Sequence, residues 1–406
     1  SIILVLSFVQ KLLLSNRTTT NREVYYFFVT YFRSQKECDA AISDICTLLS
    51  TERISLGLTA SPKGWFCGDI QITREEHQHV MDGRAISSIQ GLPITREWIH
   101  RAAHIIYQQE QEEKYIEGLE SSTSDSSSNS DDQSDANSCS SDDSHASSTG
   151  TFQIHPEAQF QIHSSALAII VIEKEGVYAR LSEDKFYTRI PTILITSKGI
   201  PDIATRAMVY CLWKTLQIPV YGLADCNPYG LGVLQTFFKG GKGNGRHNKD
   251  LYQVPIQWIG LRPSQLQEME IGRKLPKEVF QKLTGMDVRK LKGLEEQGQE
   301  QEQEQDQEGG NMFVRGLEIQ LMRENGWKVE LESLHWLGMG FMSDWLEDVL
   351  EANLKYSSYS MEQDDGASGE VKGVLPESHG FEGDFHRDDI EDDDDPVPRY
   401  DPRIAC

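Results

Sequence analysis

The sequence predicts an α+β module followed by an α/β domain, and three apolar runs carry the second half of that reading. Ala168 to Ile172, Thr192 to Thr196 and Val220 to Ala224 are short, rich in strand-forming residues and end abruptly on polar turns. Between the second and third, Pro201 starts a helical pattern through Ile203, Met208, Val209 and Leu212. Strands alternating with helices give a parallel sheet, whose ligands gather at the carboxyl ends of the strands. Glu173 of VIEKEG ends the first run and Asp225 of DCNPYG the third, so both are expected at one sheet edge.

Two carboxylates sharing an edge repel each other unless a cation lies between them, and hard oxygen ligands suit magnesium. Taken singly, Glu173 and Asp225 are ordinary strand-end residues capping turns. Together, with the glycines and the spacing, they predict a Mg2+ site. Asn227 can add a carbonyl oxygen but no charge. Lys198, beside Gly199 at the end of the second run, is a candidate for backbone phosphate contact. Arg206 is a second candidate, on the helix after Pro201, where a solvated charge is the usual explanation.

Residues 1–108 form the α+β module. Helical patterns run through Ile3, Leu6, Phe8, Val9 and Leu13, then through Cys38, Ala41, Ile42, Ile45, Leu48 and Leu49. ERISLGLTASPKGWFCGDIQI follows, with β-rich pieces on either side of Pro62-Lys63-Gly64. Helices followed by a hairpin predict a winged-helix domain. Lys63 on the wing either meets a DNA phosphate or keeps a hairpin tip soluble.

A formal charge of −24 over 406 residues speaks against a nucleic-acid partner until it is divided by segment. Residues 110–150 carry −10, 295–308 carry −7 and 362–406 carry −11, which leaves +4 for the remainder. A DNA-binding core is therefore allowed. The Ser/Asp-rich 109–150 stretch buries too little apolar surface to fold and is expected to be a disordered linker. The domain expected at 151–360 then carries a low-complexity insertion at about 295–311 and a helical C-terminal part, and 361–406 is expected to be a disordered acidic tail. The seven cysteines are widely spaced with no CxxC, which suggests a reducing compartment rather than a disulfide framework or zinc site. Ser1 to Leu14 lacks a basic n-region and is too short to span a bilayer, so it is expected to be the first core helix of a chain whose beginning is missing or misassigned.

One element remains. TTTNREVYYFF holds adjacent Tyr25 and Tyr26, with Arg22 about one helical turn before Tyr26. With EKEG, TSKGIPDIATR, DCNPYG and PIQWIGLRPSQL following in that order, the chain resembles the A subunit of type IIB DNA topoisomerase (topoisomerase VI), in particular the eukaryotic branch of meiotic proteins that make DNA double-strand breaks. The likeness runs from about Ile3 to Leu354, apart from the acidic insertions. It departs at Asn227, where the TOPRIM metal motif has a second Asp.

The resemblance implies a winged-helix domain followed by a TOPRIM domain with a helical C-terminal extension. It implies that Tyr26 attacks the DNA backbone to leave a 5′-phosphotyrosyl bond, a transesterification that starts homologous recombination. A phenol is almost wholly protonated at neutral pH, and Arg22 is the residue placed to stabilise its anion or the charge on phosphorus. Glu173, Asp225 and Asn227 would hold Mg2+, and Lys63, Lys198 and Arg206 would contact DNA. Implied partners are double-stranded DNA, a second copy of the chain whose metal site serves this tyrosine, other meiotic break-complex proteins and a topoisomerase VI B-like subunit. The implied place is the chromosomes in the nucleus, with no membrane. The family sits in the ATP-hydrolysing topoisomerase (isomerase) class, yet no GxxxxGK[ST] occurs here, so ATP use falls to the B-like partner. A DNA-relaxing topoisomerase of the same type and a non-catalytic DNA-binding relative are the alternatives.

Overall fold

The computed structural model describes residues 2–15, 17–51, 53–59, 61–74, 79–85, 91–123, 160–240, 252–268, 271–304 and 316–364. The first two helical patterns form α1 (Ile2–Leu14) and, after β1 (Thr19–Thr20) and α2 (Asn21–Phe27), α3 (Gln35–Leu48). Thr20 and Glu23 start α2 reciprocally: the Thr20 hydroxyl accepts from the Glu23 N–H at 3.2 Å and the Glu23 carboxylate from the Thr20 N–H at 2.7 Å. Val5, Val9, Val24, Phe28, Ile42 and Ile45 bury themselves in a small core that belongs to this module.

The expected hairpin does not form around Pro62-Lys63-Gly64. β2 (Leu58–Thr59) pairs in parallel with β1, whereas β3 (Trp65–Gly68) pairs with a strand of the main sheet. Phe66 and Cys67 are apolar on both faces of β3, and a two-residue partner cannot cover them; the edge of a large sheet does. β4 (Gln71–Arg74) lies between β5 (His79–Asp82) and β7 (Phe160–His163) in a separate antiparallel sheet. β6 (Leu92–Pro93) borders β3, and α4 (Glu97–Thr123) follows it.

The α/β expectation holds in the second half. β8 (Ala168–Ile172), α5 (Glu175–Glu183), β9 (Thr192–Thr196), α6 (Ile203–Leu216), β10 (Val220–Leu223), α7 (Pro228–Lys239) and β11 (Ile256–Gly260) alternate along the chain. Their sheet runs β11-β10-β8-β9-β3-β6, with β8 to β11 parallel to one another, β3 antiparallel to β9 and β6 antiparallel to β3. Every residue of β8 and β9 is buried, as a parallel sheet covered on both faces requires. The chain leaves β8 for β9 on one side and returns through α6 to β10 on the other. The strand order therefore reverses between β8 and β10, where open α/β sheets form a crevice at the strand ends.

α8 (Pro263–Glu268), α9 (Ile271–Lys274), β12 (Gln281–Lys282), α10 (Gly285–Glu304), α11 (Gly316–Asn325), β13 (Trp327–Lys328) and α12 (Phe341–Asp364) complete the described chain. Trp345 is buried and Trp327 packs edge-on to Phe280, whereas Trp336 is exposed.

The boundary expected at residue 108 needs correction. β3 and β6 extend the main sheet, and α4 runs past residue 108 as one helix packed on α6. Tyr210 on α6 donates its hydroxyl to Gln109 Oε1 at 3.1 Å. The rest of the expected linker, 124–150, lies outside the described residues. α10 enters the expected insertion and α12 reaches Asp364, while 305–311 and 365–406 lie outside the described residues.

Candidate active site

Glu173 follows β8 directly and Asp225 follows β10, whose Leu223 is the register partner of Ile172. The Asp225 N–H donates to Glu173 Oε2 at 3.1 Å. Gly230 lies against the same carboxylate: a Cβ there would stand 2.8 Å from Glu173 Oε2 and 2.8 Å from the Asp225 carbonyl oxygen. Burial raises the pKa of Glu173. Burial and then the nearby Glu173 charge push Asp225 up to about 7.

Asn227 does other work than the sequence suggests. Its Oδ1 accepts from the Tyr229 and Gly230 N–H groups at 2.9 and 2.8 Å and so caps α7, while its Nδ2 donates to Asp225 Oδ2 at 3.4 Å. The oxygen assigned to a metal is engaged by the helix, and the amide orients Asp225.

Three groups complete the site that sequence reasoning passed over. Backbone bonds between Cys226 and Val329 bring the segment after β13 alongside, and the Leu331 N–H donates to Asp225 Oδ1 at 2.8 Å. Asp225, Glu330 and Glu332 then offer oxygens within 4.8 Å of one another. The Lys174 ammonium sits among them, 3.1 Å from Asp225 Oδ2 and 2.7 Å from Glu332 Oε2, and ion-paired with Glu330. Burial alone would lower the Lys174 pKa, but hydrogen bonds to Glu330 and Glu332 reverse this and raise it. Burial likewise works against the Glu330 charge and is the largest single effect, but the hydrogen bond to Lys174, the Lys174 charge and a hydrogen bond with Asp225 together outweigh it and lower that pKa. Lys174 was legible as the neighbour of Glu173 in EKEG. Glu330 and Glu332 stand two apart in VELES, a paired-carboxylate signal that nothing local connects to β8.

The loop after β9 forms the next part of the rim. The Gly199 N–H donates to the Glu173 carbonyl at 2.9 Å, and Lys198, with φ +53°, pairs its ammonium with Glu175 at 2.6 Å and lies 5.1 Å from the Trp65 ring centroid. Lys63 reaches the same loop: its ammonium donates to the Lys198 carbonyl at 3.4 Å and its N–H to Asp202 Oδ2 at 3.1 Å. The structure thus gathers Lys63 and Lys198 at one rim. Arg206 is not with them. It is 4% exposed on the buried face of α6, where burial lowers its pKa, and nucleic acid cannot reach that position.

Tyr26 stands on α2 and is 57% exposed. Arg22 Nη2 donates to its hydroxyl at 3.5 Å, with the guanidinium carbon 5.7 Å from the ring centroid. That hydrogen bond raises the Arg22 pKa and keeps it a cation. Tyr25 is more buried, its ring 5.4 Å from that of Tyr26 and packed against the module's core. An exposed phenol beside a fixed guanidinium is suited to nucleophilic attack on an anionic centre, because the cation offsets charge gathering on the attacked group.

The acidic residues suit a magnesium ion. Glu173, Asp225, Glu330 and Glu332 are hard oxygen donors crowded at one strand-end crevice, and Lys174 supplies one positive charge among them. Among the described residues no helix is long and apolar enough to cross a membrane.

The family model for the Toprim domain of the topoisomerase 6 A subunit/Spo11 matches residues 168–348, and that described as type IIB DNA topoisomerase matches residues 1–58. The A subunit of DNA topoisomerase 6 from Arabidopsis thaliana is 26% identical over 340 residues, covering 84% of this chain and 62% of the relative. Meiotic recombination protein SPO11-2 of Oryza sativa subsp. japonica is 27% identical over 350 residues, 84% of this chain and 70% of the relative. Meiotic recombination protein SPO11 of Mus musculus is 25% identical over 343 residues, 84% of this chain and 68% of the relative. The chain therefore spans roughly two thirds of the length of these relatives. The acidic crevice falls within one matched segment and the Arg22–Tyr26 helix within the other, and on both grounds the chain belongs to the family of topoisomerase 6 A subunits and Spo11.

Proposed function

We propose that this chain cuts DNA by transesterification, forming the double-strand breaks that initiate meiotic recombination. The observation that carries the reading is the Arg22–Tyr26 pair on an exposed helix in a chain that also holds a strand-end carboxylate cluster. Tyr26 attacks a backbone phosphorus, its phenolic oxygen forms a bond to the 5′ phosphate, and the 3′ oxygen leaves with a proton. The ester keeps the energy of the phosphodiester. Arg22 offsets the negative charge that gathers on the phenol and the attacked phosphate. Glu173 and Asp225, joined by Glu330 and Glu332, hold Mg2+, while Asn227 and Gly230 fix the carboxylates. When bound, the ion supplies positive charge to the phosphate and the departing oxygen. Lys63 and Lys198 contact the DNA backbone at the rim. The working unit is a homodimer with a B-like ATP-hydrolysing partner, acting on chromosomes in the nucleus.

The test is covalent capture. The chain is expressed in meiotic cells as wild type, Tyr25→Phe and Tyr26→Phe, denatured and assayed for attached DNA. Attachment in the first two and none in Tyr26→Phe is the expected result; breaks in cells whose wild-type chain carries no DNA would defeat the reading. Likeness to the A subunit of DNA topoisomerase 6 favours a second reading, a relaxing enzyme. ATP-dependent relaxation of supercoiled DNA in the presence of a B-type partner would select it.

A further inference from the structure

A cavity of about 320 Å³ opens beside the nucleophile's helix, between the N-terminal module and the start of α6. Thr20, Asn21, Arg22, Gln35, Arg53, Thr59 and Ser61 supply its polar lining, and among the described residues no acidic side chain lines it. Thr59 adds an independent sign: it is 6% exposed, and its hydroxyl has no hydrogen-bond partner among the described residues. Buried hydroxyls are normally satisfied, so the cleft is short of an acceptor or donor that a ligand can provide.

We propose that this cleft holds a backbone phosphate of the bound DNA next to the scissile one, with Arg53 as its principal charge and Ser61 and Gln35 as neutral donors. The proposal rests on the DNA-cleaving reading and deepens it. Arg22, which donates to the Tyr26 hydroxyl, also lines the cleft, so the cavity adjoins the nucleophile. Phosphates follow one another every ~3.4 Å of helix axis along a strand. A group that grips the neighbour fixes the register of the scissile phosphate without touching it, which makes Arg53 a positioning residue.

The experiment measures the affinity of a short DNA duplex for the full chain carrying Tyr26→Phe, across a series of salt concentrations, with and without Arg53→Ala. Loss of one phosphate contact is expected to weaken binding to all sequences alike and to reduce the slope of log K against log salt by roughly 0.9. Arg53→Lys, which keeps the charge, is expected to retain the slope. An unchanged slope and affinity in Arg53→Ala, with an unchanged melting temperature, overturns the proposal. Ser61 is exposed, so Ser61→Asp gives a second arm should Arg53→Ala fail to fold; it is expected to weaken DNA binding, and no effect again overturns the proposal. Inorganic phosphate at constant ionic strength tests the other source of the anion. An Arg53-dependent rise in melting temperature with phosphate, without a change in the DNA slope, rules out DNA as the occupant. Covalent capture separates the two readings: absence of a Tyr26 adduct removes the cleavage reading, while the salt slope alone decides the cleft.

Discussion

At the scale of single residues, Gly230 and Asp225 set how the carboxylates are held. Replacing Gly230 with Ala in a helix ordinarily gains about 1 kcal/mol of backbone entropy. Here the new methyl would meet Glu173 Oε2 and the Asp225 carbonyl, both at 2.8 Å, and overpacking costs about 1–3 kcal/mol. The clash wins. Gly230→Ala is expected to lower the melting temperature and weaken Mn2+ binding measured by calorimetry; unaltered metal affinity would show that Glu173 is free to move. Lys174→Met leaves Asp225, Glu330 and Glu332 facing one another, and loss of hydrogen bonds to charged groups costs about 1.5–3 kcal/mol. Magnesium should restore more of the melting temperature to this variant than it adds to the wild type, and equal shifts would refute the role given to Lys174. Asp225 also sets a pH dependence. An acid whose folded pKa is raised binds its proton more tightly when folded, so its contribution to stability is present below about pH 4 and is lost as pH rises to about 7. Without divalent cation, Asp225→Asn should therefore gain stability relative to wild type between pH 4 and 7 in thermal melts. A difference that is flat with pH would contradict the burial of this carboxylate.

At the scale of elements, the sheet decides where the domain can be cut. β9 pairs on one side with β8 and on the other with β3, which comes from well before the expected boundary. A fragment of residues 151–364 leaves the β3 side of β9 open and uncovers the face of α6 that α4 protects. Such an unpaired apolar edge invites aggregation. The fragment 61–364 is expected to stay soluble and unfold cooperatively, and 151–364 to precipitate or melt without a transition; a cooperative melt of the shorter piece would restore the expected boundary. The limits of sequence reading follow the same line. β8, β9 and β10 were legible because their apolar runs are continuous, and Glu173 and Asp225 because each closes such a run. β3 was not assignable, since an apolar piece such as WFCG gives no sign of which strand it will join. Glu330 and Glu332 reach the site only through the Cys226–Val329 bridge, a long-range pairing with no local signature. Arg206 misled because a charge on a helix is usually solvated, whereas α6 is covered on nearly all sides.

At the scale of the whole molecule, the question is how the tyrosine and the carboxylates meet. The side-chain contacts of Tyr26 are with Arg22 and Tyr25, whereas the acidic cluster contacts Lys174, Asn227 and the Leu331 backbone. Tyr26 is exposed and sits in a module with its own core, so its phenol is open to a second molecule. If each active site takes its tyrosine from one copy and its carboxylates from the other, two different defects can complement each other. Homodimers of Tyr26→Phe lack both nucleophiles, and homodimers of Glu173→Gln lack both intact acidic sites. In a mixed dimer, one site receives both defects and the other receives neither. Co-expressing the two variants with different tags and isolating the mixed species should therefore restore covalent attachment to one strand only, read as a nick with the adduct on the Glu173→Gln chain. If tyrosine and carboxylates act within one copy, each half of the mixed dimer keeps its own defect and no adduct forms. The strand count and the tag on the adduct thus decide between a shared and a self-contained site without further structural information.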